Sequence, residues 1–270
     1  MADNDMMVPA RELNAEGFLP ADLLANWIRP LIAEMIGPFA LVFIGAGAIM
    51  TATGQHFSDG GTLVAVALAH GLAIGLMVAA AGHISGGHYN PAVTVALWAG
   101  GKIGLIKAVA YIIAQLAGAV VAAMLLRYIY PEAIRDAANF GVPGIKYVQE
   151  GDPLVIGRAR GFMIEVVATF FLVYVIHGVA VDPRGAHAVA PLAIGLTITM
   201  DIFMAGPLTG AAMNPARHFG PALVHGEWKD AWLYWAGPIT GGVLASIVHN
   251  YIFIPKSVGF PEPMPGEHYT

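Results

Sequence analysis

The sequence predicts an all-α membrane protein with six transmembrane helices and two re-entrant half-helices, arranged as an inverted repeat. The first observation is low charge: 57% of the 270 residues are hydrophobic and 11% are Asp, Glu, Lys or Arg, whereas soluble domains carry about 25% charged residues. The second is a set of six apolar windows, each near the length of about 20 residues that crosses a bilayer. The third is a repeated Asn-Pro-Ala tripeptide, which opens two shorter apolar segments at 91–98 and 215–224.

The composition also excludes several kinds of partner and chemistry. The net charge is −5 and the chain has no basic cluster, so we expect no nucleic-acid partner. Cysteine is absent, which excludes disulfides, thiolate metal sites and thiol nucleophiles. We find no nucleotide-binding loop and no nucleophile with a base beside it. We therefore expect no enzyme activity, no cofactor and no bound metal.

The apolar windows divide the chain into two halves of three spans each. They lie at 31–51, 62–82, 103–127, 161–181, 188–206 and 231–253. The polar start of the chain lacks the basic flank, apolar run and cleavage site of a secretory signal. The resulting organisation is a polar tail at 1–28, a membrane domain at 29–253 made of repeat one (29–127), a connecting loop (128–157) and repeat two (158–253), and a C-terminal tail at 254–270.

The connecting segment 128–157 is rich in residues that interrupt helices. It contains Pro131, Gly141, Pro143 and Gly144 together with most of the charge in the middle of the chain. Such a composition is typical of turns and loops. We therefore expect an exposed loop between the two halves.

The two halves repeat one pattern of acidic and turn-forming residues. Each half carries one glutamate in its first span, Glu34 or Glu165, and one Asn-Pro-Ala after its second span. A hydroxyl residue and a glycine stand five and four places before each asparagine, as Ser85-Gly86 and Thr209-Gly210. Because each half has an odd number of spans, the second copy enters the membrane in the opposite direction, which is an inverted repeat.

Each Asn-Pro-Ala is predicted to start a half-helix near the middle of the membrane. Asn is a favoured N-cap and Pro is favoured at the first helical position. In an inverted repeat the two starts meet head to head, and each contributes about half a positive charge. Non-helical backbone is tolerated at this depth only beside a cavity, so the meeting point suits a small neutral acceptor and repels cations. The residues concerned are Asn90, Pro91, Ala92, Asn214, Pro215 and Ala216.

Longer strings around these motifs resemble the major intrinsic proteins, the aquaporin family. The resemblance runs from Trp27 to about Phe253. It rests on Gly82-His-Ile-Ser-Gly-Gly-His-Tyr-Asn-Pro-Ala-Val-Thr94, Gly210-Ala-Ala-Met-Asn-Pro-Ala-Arg-His-Phe-Gly-Pro-Ala222, Ala33-Glu34 and Tyr234-Trp-Ala-Gly-Pro238. It implies a passive channel that conducts water in single file and excludes protons and ions, assembled as a homotetramer with one pore per subunit. It also implies cytoplasmic termini, whereas the distribution of Lys and Arg favours neither orientation. We further expect a plasma-membrane location.

The resemblance further implies a selectivity filter formed by His70, Ile202, Ala211 and Arg217, at fixed distances from the two asparagines. Arg217 would supply fixed donors and a permanent positive charge. His70 opposite Ile202 gives a less polar and wider gap than in water-specific members, similar to that of plant tonoplast intrinsic proteins. The alternative is therefore a wider neutral-solute pore that also passes ammonia, hydrogen peroxide or glycerol.

Residues beyond the second motif weigh against glycerol. Members of the family that conduct glycerol usually have Asp directly after the filter arginine and a basic residue four places later. This chain has His218 and Ala222 at those positions, and its Tyr234-Trp235 pair matches the water-conducting type.

The two intramembrane glutamates, Glu34 and Glu165, are open to two interpretations. Carboxylates at this depth could be the proton-relay sites of a coupled transporter. The resemblance implies instead that they are buried acceptors for backbone N–H groups of the re-entrant loops. A membrane-junction protein with a closed pore is a third possibility for the whole chain.

The first re-entrant loop should also line the inner half of the pore, because its glycine turns would leave carbonyl groups free. His83 is expected to brace this loop or to line the inner mouth. The candidate residues of the inner pore loop are His83, Gly86, Gly87 and His88.

Overall fold

Helices account for nearly all of the chain that can be described. A computed structural model describes residues 21–56, 58–145 and 156–253. The predicted C-terminal tail 254–270, residues 1–20 of the predicted N-terminal tail and residues 146–155 of the predicted loop lie outside this part of the chain.

Repeat one contains three long helices and one half-helix. The first helix begins inside the stretch predicted as a polar tail. The second begins after Ser58, whose hydroxyl accepts a hydrogen bond from the Gly61 N–H at 3.2 Å, as an N-cap does. The helices are α1 (Leu24–Gly54), α2 (Asp59–Ser85), α3 (Pro91–Ala99) and α4 (Leu105–Ile129).

The segment between the halves differs from the prediction. The expected exposed loop at 128–157 differs in part from the described residues: they contain α5 (Glu132–Ala137), which has no buried residue, and a 3₁₀ turn at Asn139–Gly141, at which the segment becomes buried. Phe140 is only 1% exposed and joins an apolar cluster with side chains of α1, α4 and α8. Burial of an aromatic ring contributes more free energy to folding than the turn-forming preference of its neighbours. The segment around Phe140 therefore packs against the helices.

Repeat two has the same plan as repeat one. It consists of α6 (Arg158–Val181), α7 (Ala190–Thr209), α8 (Pro215–His225) and α9 (Leu233–Val248). The last turn of α6 is π-helical from His177 to Val181, and α9 continues as a π-helix from His249 to Phe253. Within the described residues five helices are long and apolar enough to cross a membrane, and α9 with its extension is the sixth predicted span.

Matching helix pairs build each half, and a further pair joins the two halves. α1 packs on α4, α6 on α9, and α2 on α7 across the halves. A side chain at Gly118 would collide with the Met35 carbonyl of α1, and one at Gly241 would collide with the Val166 carbonyl of α6. Small residues at such crossings allow the close backbone contact that drives helix association in lipid. The half-helices pack crosswise, α3 on α9 and α8 on α4, so they are enclosed by the long helices.

Candidate pore

The two Asn-Pro-Ala motifs start two half-helices, and this part of the predicted fold is confirmed. Asn90 and Asn214 occupy the N-cap positions with extended backbone, and Pro91 and Pro215 are the first helical residues. Each asparagine oxygen accepts a hydrogen bond from the backbone N–H two residues later, at 2.8 Å in the first loop and 2.9 Å in the second. The caps therefore hold both side chains at the two helix starts, with Ala92 and Ala216 as the partners.

The same two asparagines also tie the loops to each other. Nδ2 of Asn90 donates to the Met213 carbonyl at 2.8 Å, and Nδ2 of Asn214 donates to the Tyr89 carbonyl at 2.9 Å. A carboxamide nitrogen carries two hydrogens, so each amide keeps one further N–H beyond this contact. Both asparagines line the same cavity, and the remaining donors are therefore available to a molecule in it.

Glu34 of α1 is fully buried and holds the first re-entrant loop. Its Oε1 accepts hydrogen bonds from the Ser85 hydroxyl at 2.7 Å and from the His88 N–H at 2.9 Å. Its Oε2 accepts from the Tyr89 N–H at 2.8 Å and from Nε2 of Gln115 at 2.7 Å. Hydrogen bonds to a carboxylate are among the stronger ones in proteins, so this side chain fixes the path of the loop.

Glu165 of α6 holds the second loop in the corresponding way. Its Oε1 accepts from the Thr209 hydroxyl at 2.7 Å and from the Ala212 N–H at 3.0 Å, and its Oε2 accepts from the Met213 N–H at 2.8 Å. These three donors occupy the positions that correspond to the hydroxyl and backbone donors of the first loop. Both oxygens of each buried acid are thus engaged by the loop that it faces.

Two buried tyrosines complete the set of hydrogen bonds that holds the two loops, which we call the frame. The Tyr111 hydroxyl donates to the Ser85 carbonyl at 2.9 Å, and the Tyr234 hydroxyl donates to the Thr209 carbonyl at 2.7 Å. Each tyrosine therefore satisfies the last carbonyl of α2 or α7, which would otherwise lack a partner at a helix end. In the sequence, only the internal repeat could have indicated that Tyr111 and Tyr234 play matching roles.

Both loops hold their backbone in the left-handed region at the same three positions. This region is rarely adopted by residues other than glycine, and the acid-bound N–H groups next to these positions help to hold it. The residues are Gly86, Gly87 and Tyr89 in the first loop and Gly210, Ala211 and Met213 in the second, with φ between 44° and 91°.

A direct hydrogen bond joins Arg217 to His70. Nε of Arg217 donates to Nε2 of His70 at 2.9 Å. Nδ1 of His70 lies 2.8 Å from the Val66 carbonyl, which can only accept, so the proton is on Nδ1 and Nε2 is the acceptor. Nη1 of Arg217 donates to the Gly141 carbonyl at 2.8 Å. The guanidinium is thus fixed on two sides while it lines the cavity.

All four predicted filter residues line the cavity that contains the two asparagines. His70, Ile202, Ala211 and Arg217 are 2–4% exposed, and the cavity has a volume of about 30 Å³. Most of the other side chains that line it are aliphatic, including Leu41, Ile74, Leu172, Ile194 and Ile198. The cavity therefore combines a few fixed donors with a largely apolar wall.

The residues predicted for the inner pore loop separate into two groups. Gly87 and His88 line the cavity, and Nδ1 of His88 lies 3.2 Å from Oγ1 of Thr94. Gly86 caps α2 in the left-handed conformation and is exposed. His83 is exposed on the last turn of α2 and is not among the residues that line the cavity.

Two groups near the pore were missed in the sequence. Gln115 donates to Thr94 at 2.9 Å as well as to Glu34, and a lone amide within an apolar span is a signal that could have found it. The Gly141 carbonyl could not have been found, because a backbone acceptor has no signature in the residue type. No group of three or more His, Asp or Glu side chains within 21–56, 58–145 and 156–253 could hold a metal ion.

Known proteins resemble this chain in sequence and in structure. Aquaporin TIP4-4 of Zea mays is 43% identical over 246 residues, which cover 89% of this chain and 92% of the relative. Probable aquaporin TIP3-2 of Arabidopsis thaliana is 44% identical over 239 residues, which cover 85% of each protein. The X-ray structure of the aquaglyceroporin from Plasmodium falciparum matches with a TM-score of 0.69 at 26% identity and covers 83% of this chain and 96% of that one. The family model for the major intrinsic proteins matches residues 24–249, and the chain therefore belongs to the major intrinsic protein family.

Proposed function

We propose that the chain is a passive transmembrane channel that conducts water in single file and excludes protons and ions. The observation that carries this function is one cavity lined by Asn90, Asn214, His70 and Arg217. Relatives at 43% and 44% identity are named aquaporins, which supports the same activity. The chain lacks the signatures of an enzyme, and its family consists of channels.

The centre of the pore selects for a neutral acceptor of hydrogen bonds. A water oxygen can accept from the remaining N–H of Asn90 and of Asn214 while its two hydrogens point outward along the file. The N-termini of α3 and α8 add partial positive charge at the same place, which repels cations. Because water molecules on either side of the centre then point in opposite directions, a proton cannot be handed through the file.

Arg217 is proposed to form the second selective step. Its charge does not depend on pH, and the contacts with His70 and Gly141 hold the guanidinium at the wall. A passing water accepts from the remaining guanidinium donors, whereas a cation meets a fixed like charge. Ile202 and Ala211 offer no hydrogen bond and are proposed to set the width of the filter.

Glu34 and Glu165 are proposed to hold the loops rather than to carry protons. Every carboxylate oxygen of the pair accepts at least one hydrogen bond from a loop residue. Their role in a coupled transporter is not supported by this arrangement, because a relay site must exchange its proton with a mobile partner.

The channel is an integral multi-pass membrane protein, and we propose a homotetramer with one pore per subunit and cytoplasmic termini. Exposed leucine and isoleucine side chains along the outer faces of the helices suit contact with lipid or with other subunits. The expected plasma-membrane location is not supported, because the relatives are of the TIP type, the tonoplast intrinsic proteins.

Stopped-flow light scattering of proteoliposomes tests this function. We expect osmotic shrinkage to be about tenfold faster than in empty vesicles, a difference equal to about 1.4 kcal/mol of barrier. Shrinkage as slow as in empty vesicles would contradict it. Swelling of the same vesicles in gradients of ammonia, hydrogen peroxide or glycerol tests the wider-pore alternative, which predicts entry of these solutes.

A further inference from the structure

Two buried histidines meet where α6 and α9 change from α-helical to π-helical winding. The π-helical turn of α6 starts at His177, and the π-helical extension of α9 starts at His249. Their imidazole rings stack with centroids 5.2 Å apart and planes 29° from parallel. π-helical turns are rare and occur frequently at functional sites. The pair therefore lies where the ends of two spans depart from regular α-helical winding.

The pair has unsatisfied hydrogen-bonding groups and no part in the conduction mechanism. Among the described residues, neither ring nitrogen of His177 has a hydrogen-bond partner, and Nδ1 of His249 also lacks one. His177 is fully buried and His249 is 4% exposed. Buried polar groups are nearly always paired, so two such neighbours require an explanation beyond packing.

An Asp182–Arg184 salt bridge lies in the loop after α6 beside these rings, and Arg184 also bonds to the end of α9. Arg184 donates from Nε to Oδ1 of Asp182 at 2.9 Å and from Nη2 to Oδ2 at 2.5 Å. The same Nη2 donates to the Phe253 carbonyl at 2.9 Å. Hydrogen bonds from Arg184 hold the pKa of Asp182 well below its usual range, so this carboxylate stays charged in mild acid. These bonds from Arg184 to Asp182 and to the Phe253 carbonyl, which we call the clamp, join the two π-helical ends.

The charges that face the two rings make protonation disruptive. His177 faces His249 and Lys102 of the α3–α4 link, and His249 faces Asp182, Arg184 and Lys102. A proton on His177 adds positive charge beside Lys102, and a proton on His249 adds it beside Arg184 and Lys102. A charged His249 also competes with Arg184 for the Asp182 carboxylate. Charging the pair would therefore push the two rings apart and weaken the clamp.

We propose that His177 and His249 form a proton-operated hinge that narrows the inner end of the pore at acidic pH. Ile176, the residue before His177, lines the cavity and packs in a cluster with Val93, which also lines it. His177 instead faces α9. When the charged rings repel, the end of α6 moves away from α9 and carries Ile176 toward the cavity. The proposal rests on the channel function proposed above and adds its regulation.

Water permeability of proteoliposomes, with the same pH on both sides, tests the hinge. We expect the permeability of the unchanged chain to fall at least about threefold between about pH 7.5 and about pH 3.5, a range over which both buried imidazoles gain charge. The double variant His177→Phe with His249→Phe keeps two stacked rings that cannot be charged, so its permeability should stay constant. The variant His187→Gln, which removes an exposed histidine at the start of the α7 region, is the control and should respond like the unchanged chain.

The outcomes separate the hinge from the channel function. Permeability at about pH 7.5 no higher than in empty vesicles overturns the channel function itself. Normal permeability at that pH without an acid response overturns the hinge alone. An equal acid response in the double variant also overturns it and assigns the response to pore residues such as His88. If the phenylalanine pair fails to fold, His177→Gln with His249→Gln is measured in its place and judged by the same results.

Discussion

The two re-entrant loops share a frame but differ at the residues that face the permeating molecule. Glu34 and Glu165 bind the same hydroxyl and backbone donors in each loop. The third residue after the asparagine, however, is Val93 in the first loop and Arg217 in the second. Both side chains line the cavity. The duplicated frame thus positions two equal half-helices, while one unmatched residue places the charge on one side only.

The frames themselves differ in one contact. Gln115 of α4 donates to Glu34 at 2.7 Å, whereas the hydrogen bonds observed for Glu165 all come from its own loop and from the end of α7. The comparison therefore separates three features. The two loops share a pair of buried glutamates, Glu34 and Glu165, which we call the braces. The filter charge of Arg217 and the supporting amide of Gln115 each occur in one half only. Each of these features can be removed by substituting one residue.

The largest effect is expected from the braces. In Glu165→Gln an amide nitrogen replaces one acceptor oxygen, so at least one buried loop N–H loses its partner at a cost of about 1–3 kcal/mol. We expect water permeability per molecule to fall about tenfold, measured by stopped-flow shrinkage. Glu34→Gln should produce a comparable loss, because its loop has the same donors. Normal permeability in either variant would contradict the equivalence of the two frames.

The next effect is expected from the filter charge. Arg217→Val gives the second loop the residue that the first loop has at the corresponding position, and removes the donors to His70 and Gly141. We expect proton leak to rise about tenfold while water still passes, measured with a pH-sensitive dye inside the vesicles. Val93→Ala is the control, since it changes no charge and should leave the leak unchanged. A proton-tight Arg217→Val channel would place the barrier entirely at the asparagines.

The response to mercury distinguishes the pore wall from the outer surface. The chain has no cysteine, so mercuric ion should not slow water flow through the unchanged channel. Ala211→Cys places a thiol on the cavity wall, and mercury should then reduce flow to about the level of empty vesicles. Ala79→Cys on the exposed side of α2 is the control and should stay insensitive. Block of the unchanged chain by low mercury would show a site other than a thiol.

The smallest effect is expected from the supporting amide. Gln115→Leu removes donors to Glu34 and Thr94 but leaves every loop donor of Glu34 in place. We expect a loss of stability of about 1–2 kcal/mol, seen as a lower unfolding temperature in detergent, with normal water permeability. Loss of permeability as large as in Glu34→Gln would mean that the first brace depends on this amide.

Sequence reasoning located the half-helices well because their start signals are local. The segments predicted at 91–98 and 215–224 are observed as Pro91–Ala99 and Pro215–His225. The connecting segment was not predictable in the same way. Asn139, Phe140 and Gly141 all have positive φ, and burial of the Phe140 ring holds this turn against the helices.

The site was partly readable for the same reason. The family resemblance, applied through spacing from the asparagines, led to His70, Ile202, Ala211 and Arg217, and these residues meet at one cavity. The contacts that orient them involve backbone carbonyls of Val66 and Gly141. Any residue type supplies a carbonyl, so only the folded chain could reveal those acceptors.

The most direct test of the account measures water and proton flux in the same proteoliposomes. If the two glutamate-held loops and the single charge of Arg217 form a selective pore, water flow should be about tenfold above that of empty vesicles. Proton leak should equal that of empty vesicles. Water flow at the level of empty vesicles, or proton leak that rises together with water flow, would contradict it.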